Sequence, residues 1–153
     1  MFGSSHYLVS VTRLIPADRQ WLFDIVADPA QHPVIDGSGS VQAARPGNPD
    51  RLSLGAHFSM DMKLGTDYKI RNTVVEFDEP SVIAWRHFNG HIWRYRFDEV
   101  AGGAAAGTLV TEEWDARHVW NRPVLVLMGF PRRNRAGMTA TLDRLAELAA
   151  ARG

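Results

Sequence analysis

The sequence of 153 residues predicts an α+β fold in which a long C-terminal helix covers one face of an antiparallel sheet. Strand-like runs cluster between two helical segments instead of alternating with them, which is typical of α+β proteins. An antiparallel sheet with one apolar face has to cover that face, and the amphipathic last helix can do so. The length favours a single domain over residues 1–153.

The N-terminal part predicts a strand followed by a helix. Residues 6–12 alternate between apolar and polar side chains, as a strand does. In residues 15–29 the apolar side chains recur at helical spacing, at Trp21, Leu22, Ile25 and Val26. Pro16 suits the first turn of this helix, Asp18 suits the positive end of its dipole, and Pro29 marks its end.

The middle of the chain predicts turns and then a series of strands. Residues 31–40 and 44–50 hold most of the early Pro, Gly, Asn and Asp, so they predict turns and short irregular pieces. The strand-like runs are residues 57–64, 68–77, 81–88, 91–100 and 108–117. A Gly/Ala-rich loop over 101–107 precedes the last of them.

The pattern becomes helical from Trp120 onward. Pro123 and Pro131 are expected to open successive helical pieces, and residues 132–153 form the long final helix. Its apolar stripe consists of Met138, Leu142, Leu145 and Leu148. This helix is the expected cover for the sheet.

The composition argues against several classes of function. The 17 basic and 17 acidic residues give a net charge of +0. This balance argues against nucleic-acid binding, because nucleic-acid affinity depends on a surplus of cations. The sequence also lacks the polybasic runs that are typical of proteins that bind anionic membranes. The chain has no cysteine for a disulfide or a thiolate, and it shows no signal peptide or membrane-spanning run. We expect a cytoplasmic protein without nucleic-acid binding or stable membrane insertion.

The segment HIWRYRFDEV, residues 91–100, alternates large aromatic residues with arginines and follows a turn at 88–90. Two hairpin registers compete. A two-residue Asn89-Gly90 turn would place Arg86 opposite Trp93. The choice matters because a slip of one residue changes which side chains share a face.

The second register uses a three-residue loop with Gly90 in the left-handed conformation. It pairs His87 with His91 and Trp85 with Trp93. We favour it because it separates an aromatic face from an arginine face more cleanly.

The favoured register makes the aromatic face an interior lining. The outward, solvated residues are then Arg86, Arg94 and Arg96, with Glu113 or Glu76 available as partners. A base-stacking platform needs rings and cations on the same surface. This separation therefore argues against nucleic-acid binding.

The inner face gathers large rings and flexible thioethers, which suit irregular apolar space and adapt to varied ligands. We predict a ligand-binding cavity there, and the alternative is that the same side chains simply fill the core. The predicted cavity residues are Phe58, Met60, Met62, Trp85, His87, Trp93, Tyr95, Glu112, Trp114, Met128, Met138 and Leu142.

Glu112 is a candidate functional carboxyl on the last strand. It shares a face with Val110 and Trp114, the more apolar of the two faces, so we expect it to point inward. A buried carboxyl is costly unless it is paired, and burial raises its pKa, which suits binding of a ligand hydroxyl or acid–base chemistry. The alternative is a structural salt bridge to Arg117 or Arg135.

The sequence predicts no metal and no cofactor. A metal site needs three or four convergent ligands, but His87 and His91 flank a turn and His118 lies where the last strand ends. The glycine-rich residues 36–40 match neither a dinucleotide-binding nor a phosphate-binding loop, and their serines lack the nucleophile-elbow pattern.

The chain resembles the START-related superfamily, also called SRPBCC or helix-grip, in its polyketide cyclase/dehydrase-like and lipid-transfer branch. The resemblance spans nearly the whole chain and rests on IPADRQWLFDIVADP, LGAHF, VVEFDEP, WRYRFDEVAGG, GTLVTEEWD and MTATLDRLAELA. It implies a curved antiparallel sheet that grips the C-terminal helix, with a hydrophobic cavity between them. It also implies apolar ligands such as lipids, sterols or polyketides, without a shared cofactor or a universal catalytic motif.

Three functions compete. We favour binding or transport of a small hydrophobic ligand. The runner-up is a cofactor-free polyketide cyclase/aromatase or dehydratase with Glu112 as acid or base. The groups that would orient its substrate are His87, Tyr95 and Arg86. An interaction module is suggested only by the arginines in 132–135. The ligand, any reaction and the oligomeric state stay open.

Overall fold

A computed structural model describes residues 7–87, 89–102 and 106–152 of the chain. The strands are β1 Leu8–Ile15, β2 Val41–Ala44, β3 His57–Leu64, β4 Thr66–Asp78, β5 Val82–His87, β6 Ile92–Val100 and β7 Gly107–Asp115. The α-helices are α1 Arg19–Val26, α2 His32–Ile35, α3 Arg122–Leu127 and α4 Phe130–Arg152. Parts of the predicted elements lie outside the described residues: His6, Phe88, residues 103–105 and Gly153.

All seven strands form an antiparallel sheet in the order β1-β7-β6-β5-β4-β3-β2. The sheet curls into a half-barrel around α4, which is the α+β helix-grip architecture that the sequence predicts. The predicted strand over 57–64 coincides with β3. Because strand residues alternate between faces, β3 to β7 direct alternate side chains to the interior, with an irregularity in β4 between Val74 and Glu76.

Helix α1 begins after Asp18, whose carboxylate accepts a hydrogen bond from the Trp21 amide at 3.2 Å and so caps the first turn. Its buried face contributes Leu22, Phe23 and Val26 to the core. The helix is shorter than the predicted segment 15–29 because β1 extends to Ile15.

After α1 the chain forms a 3-10 helix over Pro29–Gln31 and then α2, so residues 31–40, predicted as turns and short irregular pieces, begin with helical turns. After α2, the Asp36 carboxylate accepts hydrogen bonds from the amides of Ser38 at 3.2 Å and Val41 at 3.1 Å. Gly37 lies so close to α4 that an added Cβ would be 2.4 Å from Ala140. This loop therefore ties the β2 edge of the sheet directly to α4.

The β5–β6 hairpin has the favoured register. Trp85 lies opposite Trp93, and the His87 amide donates to the His91 carbonyl at 2.9 Å. Gly90 has a φ of +101°, a left-handed conformation that a glycine adopts without steric cost. The prediction of an aromatic inner face is therefore confirmed.

The arginine face differs from the prediction at one position. Arg94 points outward, but it is only 8% exposed, because acidic side chains of β4 and β7 surround it. Its guanidinium reaches Glu76 at 2.5 Å, Glu113 at 3.0 Å and Asp115 at 3.6 Å. The expected partners Glu76 and Glu113 are confirmed, whereas the expected solvation of Arg94 is wrong.

Helix α4 closes the sheet with the predicted apolar stripe. The side chains of Met138, Leu142 and Leu145 are fully buried, and Leu148 is partly buried against the core. Pro123 lies in the first turn of α3, and Pro131 is the second residue of α4, as the sequence predicts. Among the described helices, none combines the length and the apolar character needed to cross a membrane.

Candidate functional site

A cavity of about 350 Å³ lies between the inner face of the sheet, the loop after α2 and the helices α3 and α4. Its volume falls within the range typical of small-molecule sites. The strands contribute mainly rings and thioethers: Met60, Met62, Tyr68, Trp85, Trp93, Tyr95 and Trp114. The helical wall consists largely of Leu125, Phe130, Gly137 and Met138. The sheet and helix thus leave an apolar space between them.

Nine of the twelve predicted residues line this cavity. They are Met60, Met62, Trp85, His87, Trp93, Tyr95, Glu112, Trp114 and Met138. They meet there because the alternation on four strands directs them to one concave face, and Met138 faces that surface from α4.

The other three predicted residues do not line the cavity. Phe58 is buried behind its wall, where its ring packs edge-on against Trp85 with centroids 5.4 Å apart. Leu142 lies one helical turn beyond Met138 and is buried in the core. Met128 is 62% exposed, because α3 ends there and the chain turns away from the sheet.

Arg86 also lies away from the cavity. Its strand neighbours Trp85 and His87 line the cavity, so the alternation turns Arg86 to the outer face, where it is exposed. The suggestion that Arg86 orients a substrate is therefore wrong.

His32 is a cavity residue that the sequence did not indicate. It stacks on Trp85, with ring centroids 4.9 Å apart, and its Nε2 lies 2.7 Å from the carbonyl oxygen of Val26. Burial lowers the pKa of His32. It belongs to α2, a four-residue helix too short to show a periodic pattern.

Glu112 is buried at the cavity wall, 4% exposed, and lies opposite Tyr95 across β6 and β7. Burial raises the pKa of Glu112 to about 8, a hydrogen bond with Tyr95 opposes that rise, and the charge of Asp36 adds to it. Within the described part of the chain, Oε1 of Glu112 has no hydrogen-bond partner. The carboxyl is therefore protonated near pH 7 and can donate to a ligand.

The alternative of a structural salt bridge at Glu112 is wrong for both arginines considered. Arg117 pairs with Asp115 at 2.8 Å, and Arg135 donates to the backbone oxygen of Ser10 at 3.3 Å. Both guanidinium groups are therefore engaged elsewhere.

His87 and His91 form a stacked pair in the cavity wall, with ring centroids 4.5 Å apart and planes 13° from parallel. Burial lowers the pKa of His87 to about 4, and burial together with His87 lowers the pKa of His91 to about 3. Both rings are therefore neutral near pH 7. Nδ1 of His91 is buried and has no hydrogen-bond partner among the described residues. The part of the chain that the structure describes contains no cluster of three or more His, Cys, Asp or Glu side chains that suits a metal ion.

Asn72 adds a further polar atom to the cavity wall. Its side chain is buried on β4, and Oδ1 has no hydrogen-bond partner in the described ranges. Asn72 shares the inner face with Ile70 and Val74, so the period-two pattern of this strand contained the signal that places it. The cavity is thus apolar overall, with a few buried polar atoms directed into it.

The cavity lining contains a cation. Arg133 of α4 lies over the Phe130 ring, 5.4 Å from its centroid, and both residues belong to the lining. Burial raises the pKa of the nearby Tyr68, and the charge of Arg133 opposes this rise. The helical side of the cavity is therefore both apolar and positively charged.

The sequence is similar to two uncharacterized proteins of Mycobacterium tuberculosis. Rv0088 of strain H37Rv is 38% identical over 141 residues, which cover 87% of this chain and 60% of the relative. MT0096 of strain CDC 1551 is 37% identical over 141 residues, which again cover 87% of this chain and 60% of the relative. The chain thus spans about three-fifths of the length of the curated relatives it matches.

Solved structures share the fold at low sequence identity. Protein Ms6760 from Mycobacterium smegmatis superposes with a TM-score of 0.68 at 20% identity, covering 98% of this chain and 95% of that one. The AHSA1-like protein from Aeromonas hydrophila gives a TM-score of 0.65 at 17% identity, covering 95% and 94%.

The chain matches one protein family over the residues that form the sheet and most of α4. Residues 7–150 match the family described as polyketide cyclase/dehydrase and lipid transport. The match includes every strand, the cavity and most of α4. The chain therefore belongs to the polyketide cyclase/dehydrase and lipid transport family.

Proposed function

We propose that the protein binds or transports a small hydrophobic molecule, such as a lipid, a polyketide or another aromatic compound, in this cavity. The observation that supports this most strongly is the 350 Å³ space walled by indole rings and thioethers. Transfer of apolar surface from water into such a space yields about 25 cal/mol per Å². The cysteine-free composition adds the prediction that the protein acts in the cytoplasm.

The polar atoms in the wall support a ligand that also carries polar groups. Asn72 Oδ1, His91 Nδ1 and Glu112 Oε1 are buried without partners among the described residues. An unsatisfied buried polar atom costs about 1–3 kcal/mol, so a ligand that supplies its partner binds more tightly. We therefore favour an apolar skeleton with hydroxyl or carbonyl groups, in which protonated Glu112 donates to a ligand oxygen.

A cofactor-free cyclase/aromatase or dehydratase is the second candidate. The observation that favours it is a carboxyl with a pKa of about 8 beside the Tyr95 phenol in an apolar cavity. Such a carboxyl can protonate a carbonyl or a departing hydroxyl, and its carboxylate can later accept a proton from the substrate. Tyr95 and His87 are the neighbouring groups that would orient the substrate.

Native mass spectrometry of the purified chain tests the binding proposal. We expect an added small-molecule mass after incubation with a fatty acid or a polycyclic aromatic, and loss of that mass on denaturation. Met62→Trp replaces a thioether in the cavity wall with a larger indole ring. The ring should fill part of the cavity and abolish the adduct. Lys63→Trp adds the same ring on the opposite, exposed face of β3 and should retain it. No adduct with any apolar compound, or equal adducts in both variants, contradicts the proposal.

Glu112→Gln separates binding from catalysis. For an enzyme, this variant should keep the adduct but lose turnover by about a hundredfold or more once a substrate is found. Unchanged turnover would exclude Glu112 as the acid or base.

A further inference from the structure

The residues after β7 carry a strong local charge asymmetry within a chain that is neutral overall. Residues 116–142 contain five arginines and no Asp or Glu, whereas the whole chain has 17 basic and 17 acidic residues. This segment includes α3 and the first half of α4. The acidic residues that balance it lie elsewhere in the sequence, so the neutral total conceals a positively charged segment.

Large apolar side chains are exposed on the same segment. Trp120 is 86% exposed, Leu127 is 87% exposed and Met128 is 62% exposed, and Val124 is half exposed beside them. Four such side chains within nine residues are unusual for a surface in contact only with water. Leu125 is the buried side chain of the short helix α3, whereas Pro123, Val124 and Leu127 are exposed.

Most arginines of this segment are not neutralised by an acidic side chain among the described residues. In the described residues, no acidic side chain forms an ion pair with Arg122, Arg132, Arg133 or Arg135. Arg122 lies over the Tyr7 ring, at 5.3 Å from its centroid, and Arg133 lies over Phe130. Contacts with rings and backbone oxygens leave the positive charges unneutralised.

We propose that this surface docks on an anionic lipid bilayer. We name it the α3 surface and define it by Trp120, Val124, Leu127, Met128, Arg122 and Arg132. A bilayer offers both of the environments that this surface needs. Its acyl boundary accepts the apolar side chains, and its anionic headgroups attract the guanidinium groups. A polyanion without an apolar layer, such as a nucleic acid, would leave Leu127 and Trp120 in water. The docking is peripheral, because α3 has six residues.

The α3 surface adjoins the cavity, since Leu125 and Phe130 of the same segment belong to the cavity lining. Docking would bring that wall close to the lipid. The proposal does not depend on ligand binding, because the surface is formed by residues outside the lining.

Cosedimentation of the full chain with vesicles tests this proposal. The two vesicle types are phosphatidylcholine alone and a two-to-one mixture of phosphatidylcholine and phosphatidylglycerol. We expect at least about tenfold stronger partitioning onto the anionic vesicles and a steady loss as salt is raised. Equal partitioning on both vesicle types, or no binding to anionic vesicles, would overturn the proposal.

Matched variants assign the binding to this surface. Leu127→Glu should reduce partitioning by about tenfold or more, whereas Leu54→Glu, on another exposed leucine, should not change it. Arg132→Gln should reduce it about fivefold, whereas Arg86→Gln on the outer face of the sheet should not. Circular dichroism checks that each variant is folded. Wild-type partitioning in folded Leu127→Glu contradicts the proposal even if the cavity binds its ligand normally.

Discussion

Tyr95 and Glu112 lie directly opposite each other on β6 and β7, and both side chains are buried on the cavity side of the sheet. Their proximity affects both groups, since burial and the neighbouring Glu112 also raise the pKa of Tyr95. Near pH 7 the phenol and the carboxyl are therefore both protonated. The polar part of the cavity then carries hydrogen-bonding capacity without a charge at this pair.

Glu112 should make the protein less stable as the pH rises from 7 to 8. In the unfolded chain this carboxyl titrates near 4.5, whereas in the folded protein its pKa is about 8. Between these values the unfolded chain has released a proton that the folded protein still binds, so the free energy of unfolding falls with rising pH. The expected slope is about 1.4 kcal/mol per pH unit.

Urea denaturation at several pH values measures this slope, and Glu112→Gln is the control because its amide does not titrate. The variant should show a much flatter dependence in this range, in which the unfolded histidines are largely neutral. A slope that is the same in the variant and the wild type would show that Glu112 does not have a raised pKa.

His91 should make the protein less stable as the pH falls below 6.5. Its pKa is about 3 in the folded protein and 6.5 in the unfolded chain, so below pH 6.5 protonation favours the unfolded chain. Stability should fall as the pH drops from 6.5 towards 4.5. In His91→Phe, which keeps an aromatic ring next to His87, this fall should be smaller by about 1.4 kcal/mol per pH unit.

Thermal and urea unfolding between pH 4.5 and 6.5 test the role of His91, with His118→Phe as the comparison at an exposed position. If His118→Phe flattens the acid limb as much as His91→Phe does, burial of His91 is not the cause.

Arg94 and Arg96 should differ strongly in their contributions to stability, although they lie two residues apart on the same face. Arg94 is enclosed by three carboxylates, and the guanidinium lowers the pKa of Glu76 by its hydrogen bond. Arg94→Met leaves these carboxylates without their shared cation and should cost about 3–5 kcal/mol.

Arg96 is 44% exposed at its side chain, and its ion pair among the described residues is with Glu113, at 3.5 Å. Arg96→Met should therefore cost less than about 1 kcal/mol. Chemical denaturation of the two variants at neutral pH makes the comparison. Similar losses in both would mean that the buried network around Arg94 does not stabilise the fold.

Local patterns predicted β1 and β3 to β7 because these strands carry a period-two signal, whereas the four-residue β2 was not predicted. The alternation in 57–64 was sufficient for β3, and the separation of aromatic from arginine side chains favoured the correct β5–β6 register. The inward direction of Glu112 followed from the same rule. These features depend on residues close together in the sequence.

Features that depend on distant residues could not be predicted. Arg94 is buried because carboxylates on β4 and β7 converge on it, and the alternation on β6 contains no such information. His32 stacks on Trp85 of β5, which is far from it in the sequence, so no local pattern contains this contact. Met128 was assigned to the cavity from its chemistry, but the end of α3 directs it to solvent.

The most direct test of the account is a fluorescence titration with an environment-sensitive apolar dye, using the wild type, Met62→Trp and Lys63→Trp. A ligand-binding cavity predicts one saturable site in the wild type and in Lys63→Trp, competition by added lipid or polycyclic aromatic compounds, and at least about tenfold weaker binding in Met62→Trp. Dye binding that never saturates, or that is equal in Met62→Trp and Lys63→Trp, would contradict it.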